Sequence, residues 1–177
     1  STQAADARAY LENRGIDKGL IEKFQLGFSP EGWDTLVQFL SKRGYNATEV
    51  ERSGLAQRKK SGVGSIDKFR NRVMIPLSDH HNNVVGFTAR IMKQTDDFQG
   101  PKYMNSPETL IYKKSELLYG LNLAKSAIKM AGAVIVVEGN LDVIASHKAG
   151  VENVVASSGT ALTEQQIQLL KRFTDNI

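Results

Sequence analysis

The chain has no cysteine in its 177 residues, which excludes disulfides and thiolate metal sites and fits a reducing cytoplasm. Its three histidines, two of them adjacent in Asp79-His80-His81-Asn82-Asn83, make no zinc constellation. No apolar run approaches the roughly 20 residues that cross a bilayer, so no membrane partner is expected. Proline is scarce, at four residues, and neither repeats nor a low-complexity linker interrupt the chain. The remaining metal donors are carboxylates, which favour magnesium or manganese.

Charge is unevenly spread. From residue 133 onward three bases (Lys148, Lys171, Arg172) face five acids (Glu138, Asp142, Glu152, Glu164, Asp175), a net of −2. The total of 23 bases and 19 acids therefore leaves 20 bases and 14 acids before residue 133, a net of +6. A basic body beside an acidic end fits a polyanion surface next to a cation site, although many solvated faces share that imbalance.

Helical spacing covers residues 4–14, with Ala7, Tyr10 and Leu11 inward and Gly15 as the stop. Asp17 can cap a second helix over 18–24. Residues 26–30 read as extended, and 31–44 as one amphipathic helix carrying Trp33, Leu36, Val37, Phe39 and Leu40. Asn46 or Thr48 caps a short helix to Arg52, followed by a basic loop with Arg58, Lys59, Lys60, Gly62 and Gly64. Residues 72–77 and 84–92 form a hairpin around a polar turn, with Pro76 requiring an edge or bulge. Residues 93–100 read as a polar insertion and 101–109 as a loop without apolar period. One long helix is expected over 115–130, with Leu117, Leu118, Leu121, Ala124 and Ile128 on one face and Gly132 as its end.

The informative stretch is Ala133-Val-Ile-Val-Val-Glu-Gly-Asn-Leu-Asp-Val-Ile-Ala145. A β-branched run ending in Glu138-Gly139 reads as a buried parallel strand entering a tight turn and a helix. Open α/β sheets bind ligands at strand carboxyl ends, and Asp142 follows Glu138 by about one helical turn. Taken alone, Glu138 could equally be a surface acid and Asp142 a charge complementing the helix dipole. A second strand over 153–156, a turn at 157–160 and a helix over 163–173 complete a β-α-β-α alternation. The turn reads as a tight connection rather than a phosphate cradle, and Thr163 with Gln166 has capping-box spacing. The fold class is α/β, with a mixed α/β N-terminal part before the parallel unit.

Eight segments, in order, carry a resemblance. They are Tyr10-Leu-Glu-Asn-Arg-Gly-Ile16, Gly27-Phe-Ser-Pro-Glu-Gly-Trp33, Phe69-Arg-Asn-Arg-Val-Met-Ile-Pro76 and Gly86-Phe-Thr-Ala-Arg90. Pro101-Lys-Tyr-Met-Asn-Ser-Pro-Glu-Thr109, Leu118-Tyr-Gly-Leu121, Val136-Val-Glu-Gly-Asn-Leu-Asp-Val143 and Ala156-Ser-Ser-Gly-Thr160 follow. Together they resemble the RNA polymerase core of bacterial DnaG-type DNA primases along essentially the whole chain.

The resemblance implies a basic N-terminal subdomain, residues 1–132, and the N-terminal part of a TOPRIM subdomain, residues 133–177. It implies primer synthesis on single-stranded DNA template from ribonucleoside triphosphates, yielding an RNA primer, with Mg2+ or Mn2+ as cofactor and a cytoplasmic setting. The family's helicase-binding C-terminal domain, which contacts the replicative helicase, has no counterpart in these residues. Carried over, Glu138 is the TOPRIM metal ligand or general acid–base, and Asp142 the second acid of that motif. Arg14, Arg90 and Lys102 match basic groove residues contacting template or nucleotide. Tyr103 and Asn105 share the Lys102 motif, and Arg72 is added from its own segment. Without the family match, Arg90 would be read as a strand residue that snorkels or pairs with Asp79.

Two departures stand out. Asn140 occupies a position where the family commonly has tyrosine. No Asp-x-Asp occurs in the sequence, and the adjacent Asp96-Asp97 lies in a polar loop. The chain is accordingly expected to be part of a larger primase, keeping the groove but inactive alone. A TOPRIM nuclease or topoisomerase, or a non-catalytic single-strand-binding module, are the alternatives.

Overall fold

The computed structural model describes residues 2–92, 100–159 and 161–177. Most of the expected insertion (93–99, with Asp96-Asp97) and Thr160 lie outside the described residues. Helices α1 (Thr2–Asn13) and α2 (Lys18–Lys23) open the chain, and the Asp17 carboxylate caps α2 by accepting from Leu20 N at 2.9 Å. Strand β1 (Gly27–Ser29) leads to α3 (Thr35–Ser41) and α4 (Ala47–Arg52), the latter closed by an Asn46/Glu49 capping box. Strands β2 (Ala56–Arg58) and β3 (Ser65–Asp67) precede β4 (Arg72–Ser78), β5 (Val84–Ile91) and β6 (Tyr103–Asn105). A 3-10 turn (Lys114–Glu116) leads to α5 (Leu121–Ala131), β7 (Ile135–Val137), α6 (Asn140–Lys148), β8 (Val154–Ala156) and α7 (Glu164–Leu170). Among the described residues, no helix is long and apolar enough to cross a membrane.

An antiparallel sheet runs β1-β4-β5-β6, β2 pairs antiparallel with β3, and β7 pairs parallel with β8. Pro76 is tolerated in β4 because β1 pairs only with residues 72–74, leaving position 76 past the end of that ladder. The expected bulge falls close by, at Leu77/Ser78.

Four expectations need correction. The helix expected over 31–44 is confined to α3, because the buried Asp67 carboxylate accepts from Leu36 N (2.7 Å) and Val37 N (2.9 Å) and so sets its first turn. None of its residues is buried, and Trp33, outside it, is exposed. The basic loop is the β2–β3 hairpin. The segment 101–109 contains β6, paired with β5. The long helix begins only at Leu121, because Tyr119 exchanges two backbone hydrogen bonds with Ala156 (2.9 and 3.0 Å) and Gly120 turns the chain at φ +82°.

Two apolar clusters hold these layers together. One joins α1, α2 and β4 to Tyr112, Tyr119, Val143, Ile144 and Ala156, so it spans both expected subdomains. The other packs Leu121, Ala124 and Ile128 of α5 against Val155 and Leu170. Each fully buried aliphatic side chain contributes about 1.5–3 kcal/mol of burial free energy.

Candidate functional site

The register Ile135↔Val154, Val136↔Val155, Val137↔Ala156 brings the carboxyl ends of β7 and β8 level. Glu138 and Ser157 therefore leave the sheet side by side, where parallel strands expose their ends to ligand. Backbone bonds tie the two exit loops: Ser157 N donates to Val137 O (3.2 Å) and Gly159 N to Glu138 O (3.0 Å). Side chains tie them again, for the Ser158 hydroxyl donates to Asn140 Oδ1 at 2.7 Å. Asn140, buried in place of the expected aromatic, thus acts as a clasp between the loops.

Glu138 and Asp142 are both exposed. Asp142 Oδ2 accepts from Gly139 N at 3.1 Å, so one oxygen serves the α6 N-terminus as the dipole argument anticipated. A Cβ built on Gly139 would lie 2.8 Å from that oxygen, so only glycine leaves the carboxylate in place.

Across from these acids, the turn after α1, the antiparallel sheet and the 3-10 turn supply polar and basic groups. Arg14, Thr88, Tyr103, Asn105, Lys114, Glu138 and Asp142 share one cavity of about 460 Å³, floored by Ile75 and Leu141. The Thr88 hydroxyl donates to Asn105 Oδ1 at 2.8 Å, fixing the amide that faces the cavity. Arg14 lies over the Tyr10 ring at 5.1 Å and Arg90 over the same ring at 4.2 Å. Burial raises the Tyr10 hydroxyl pKa, and the two guanidinia oppose that rise. Among the described residues no ion pair joins the cavity's acids to Arg14 or Lys114, so both charges remain available to ligand.

Five of the eight expected site residues meet in this cavity: Arg14, Tyr103, Asn105, Glu138 and Asp142. Arg90 stands behind Arg14 through Tyr10 rather than lining the cavity, and it does not pair with Asp79. Lys102 is exposed beside β6 and outside the lining. Arg72 is buried, donating to Pro101 O (3.0 Å) and Ala89 O (3.4 Å), and its guanidinium ties the β4–β5 ladder to the approach of β6. Thr88 and Lys114 also line the cavity and are not among the expected residues. The Lys113-Lys114 pair beside the Pro101–Thr109 motif was the available signal for the second. No group of three or more metal-ligating His, Asp or Glu side chains occurs among the described residues.

Comparison with known proteins identifies the family. Residues 1–125 match the DNA primase catalytic core, N-terminal domain, and residues 132–177 match the Toprim domain. The chain is 46% identical over 171 residues to a DNA primase of Streptomyces coelicolor, covering 97% of this chain and 26% of that protein. It superposes with TM-score 0.92 and 41% identity on the RNA polymerase domain of Mycobacterium tuberculosis primase DnaG, covering 99% of this chain and 56% of that one. A DnaG primase catalytic domain bound to ssDNA superposes with TM-score 0.85 and 39% identity, covering 97% and 54% respectively. The chain thus spans about a quarter of the length of the curated relatives it matches. Two family matches in order, over a backbone shared with primase catalytic domains, make the chain a member of the DnaG-type DNA primase family.

Proposed function

We propose that these residues serve DNA-templated synthesis of short RNA primers by metal-dependent nucleotidyl transfer. The observation that carries the reading is the cavity in which Glu138 and Asp142 face Arg14, Lys114, Tyr103 and Asn105. It lies between the basic subdomain proposed for residues 1–132 and the TOPRIM part proposed for 133–177. The donor set fits a hard divalent cation: two exposed carboxylates, one with an oxygen already oriented by Gly139 N and its other oxygen open. Magnesium or manganese held there would neutralise phosphate charge and align the attacking hydroxyl. Glu138 is the ligand or acid–base and Asp142 the second acid.

Arg14 and Lys114 hold phosphate oxygens of template or incoming ribonucleoside triphosphate, and the exposed Tyr103 ring offers a stacking face. Arg90 braces Arg14 through Tyr10, and Lys102 extends the basic track beyond β6. Ligands are single-stranded DNA, ribonucleoside triphosphates and the growing RNA primer, and a DNA template sets the activity in the cytoplasm.

The test is a chimera in which residues 1–177 replace the matching segment of the Streptomyces coelicolor relative, assayed for ribonucleotide incorporation on single-stranded DNA. Synthesis is expected, and Arg14→Ala should raise the nucleotide or template KM about tenfold, about 1.4 kcal/mol of lost binding. A folded chimera that binds single strands but incorporates no ribonucleotide rejects the reading.

Gly139→Ala probes the acid pair separately. Its φ is −111°, so alanine adds no backbone strain, and the added methyl displaces only the Asp142 carboxylate. Loss of this cap costs about 1 kcal/mol of stability. Mn2+ affinity, read by electron paramagnetic resonance, should fall about 10- to 100-fold, the effect of a lost orienting partner. Unchanged affinity would remove Asp142 from the cation site.

A further inference from the structure

The β2–β3 hairpin carries Arg58, Lys59 and Lys60 in succession, all exposed and outside the cavity lining. We propose that this hairpin is a separate clamp for the sugar–phosphate backbone of nucleic acid.

Its base is fixed. Ala56, Gln57 and Arg58 pair with Asp67, Ile66 and Ser65, and Asp67 N donates to Trp33 O at 2.7 Å. The Asp67 carboxylate is spent on the first turn of α3, and the Ser65 hydroxyl donates to Glu51 Oε1 of α4 at 2.6 Å. The tip is ordered too: Lys59 N donates to Gly64 O and Gly62 N to Lys59 O, each at 2.9 Å. Gly62 and Gly64 adopt φ +79° and +78°, a backbone region that costs glycine nothing and other residues about 1–2 kcal/mol.

The charge on this arm is largely unanswered. Arg58 Nε approaches Glu51 Oε1 at 3.9 Å, the outer limit of an ion pair. Among the described residues, no carboxylate pairs with Lys59 or Lys60. Three adjacent cations repel one another, and the fold holds them together on a constrained turn instead of dispersing them. A row of one guanidinium and two ammonium groups along an exposed turn suits successive phosphates of a strand rather than a single small anion. The exposed Val63 beside them supplies an apolar contact for sugar or base, whereas a membrane-binding arm would need a broad apolar face.

The inference rests on the proposed template function only in taking nucleic acid as the ligand. The protein and its Lys59→Gln/Lys60→Gln variant are titrated against fluorescent oligo-dT and a matched duplex over a range of NaCl, with circular dichroism as the folding check. Losing two phosphate contacts should weaken oligo-dT binding about 5- to 10-fold near 0.1 M salt and reduce the log–log salt slope by about 1.4. Lys59→Arg/Lys60→Arg should restore both. Equal affinity and slope for a folded glutamine variant overturn the hairpin clamp while leaving the template function intact. If the unmodified protein binds neither oligonucleotide, the clamp and the template function both fall. Preferential, lysine-dependent capture of phosphatidylserine vesicles over oligo-dT would reassign the arm to a membrane surface and overturn the proposal.

Discussion

Glu138→Gln, in the chimera with the Streptomyces coelicolor relative, is expected to lower primer synthesis about 10²- to 10³-fold, as removal of one preorganised charge-stabilising group does elsewhere. Glutamine keeps the length and the carbonyl oxygen of glutamate but removes the anion, so packing at the end of β7 is preserved. The backbone contact survives, because the oxygen accepting from Gly159 N belongs to the main chain of residue 138. Among the described residues no base pairs with the Glu138 carboxylate, which lines its cavity with a second acid, Asp142. Removing one of two like charges therefore leaves thermal stability unchanged or slightly raised, while Mn2+ binding weakens. Single-strand binding should persist, since the groups proposed to hold phosphate, Arg14 and Lys114, belong to other elements. This pattern separates a catalytic carboxylate from a structural one. Retention of synthesis would remove Glu138 from the catalytic site.

The acid pair was legible because its signal is local. A β-branched run, an acid–glycine turn and a helix lie within thirteen consecutive residues, and each step follows from strand and helix periodicity. The Asp17, Asn46 and Thr163 caps were legible for the same reason, since each cap bonds a backbone N–H three residues away. What escaped depends on partners distant in sequence. Tyr103–Asn105 has no alternating pattern of its own and becomes a strand through β5. Leu117 and Leu118 fit the face of a helix, yet Tyr119 is drawn into pairing with Ala156, 37 positions later. The β2–β3 hairpin has no alternating apolar pattern at its tip, and it is anchored by Asp67, which pairs with Ala56 and accepts from the first turn of α3. Arg72 illustrates the same limit in reverse. A strand arginine in a basic segment reads as a ligand group, but burial turns it inward to two carbonyls. Lys114 escaped because its place in the cavity depends on where the chain enters the Tyr119–Ala156 bridge, not on its neighbours.

That bridge gives the largest expected effect on stability. Gly120 follows Tyr119 directly, adopts φ +82°, and its carbonyl accepts from Leu123 N and Ala124 N to start α5. Gly120→Ala meets two costs. The left-handed backbone costs an L-residue about 1–2 kcal/mol. The new Cβ would also lie 2.8 Å from Val143 Cγ1, and Val143 is fully buried, so overpacking adds about 1–3 kcal/mol. A total of about 2–5 kcal/mol lowers Tm by about 5–15 °C for a chain of this size. Gly132 supplies the control. It ends α5 at φ +63° with nothing within 4 Å of a built Cβ, so Gly132→Ala should show the backbone cost alone. Differential scanning calorimetry of both variants therefore isolates the steric part as their difference, and equal losses would show that Val143 yields without cost. Val143 adjoins Asp142 in the first turn of α6, so a methyl at Gly120 also presses on the element that aims the second carboxylate. Gly120→Ala should accordingly weaken Mn2+ binding even below its lowered Tm, whereas Gly132→Ala should not. The glycine of the Leu118-Tyr-Gly-Leu121 segment is thereby tied to the site by packing, through a residue that touches neither metal nor nucleic acid.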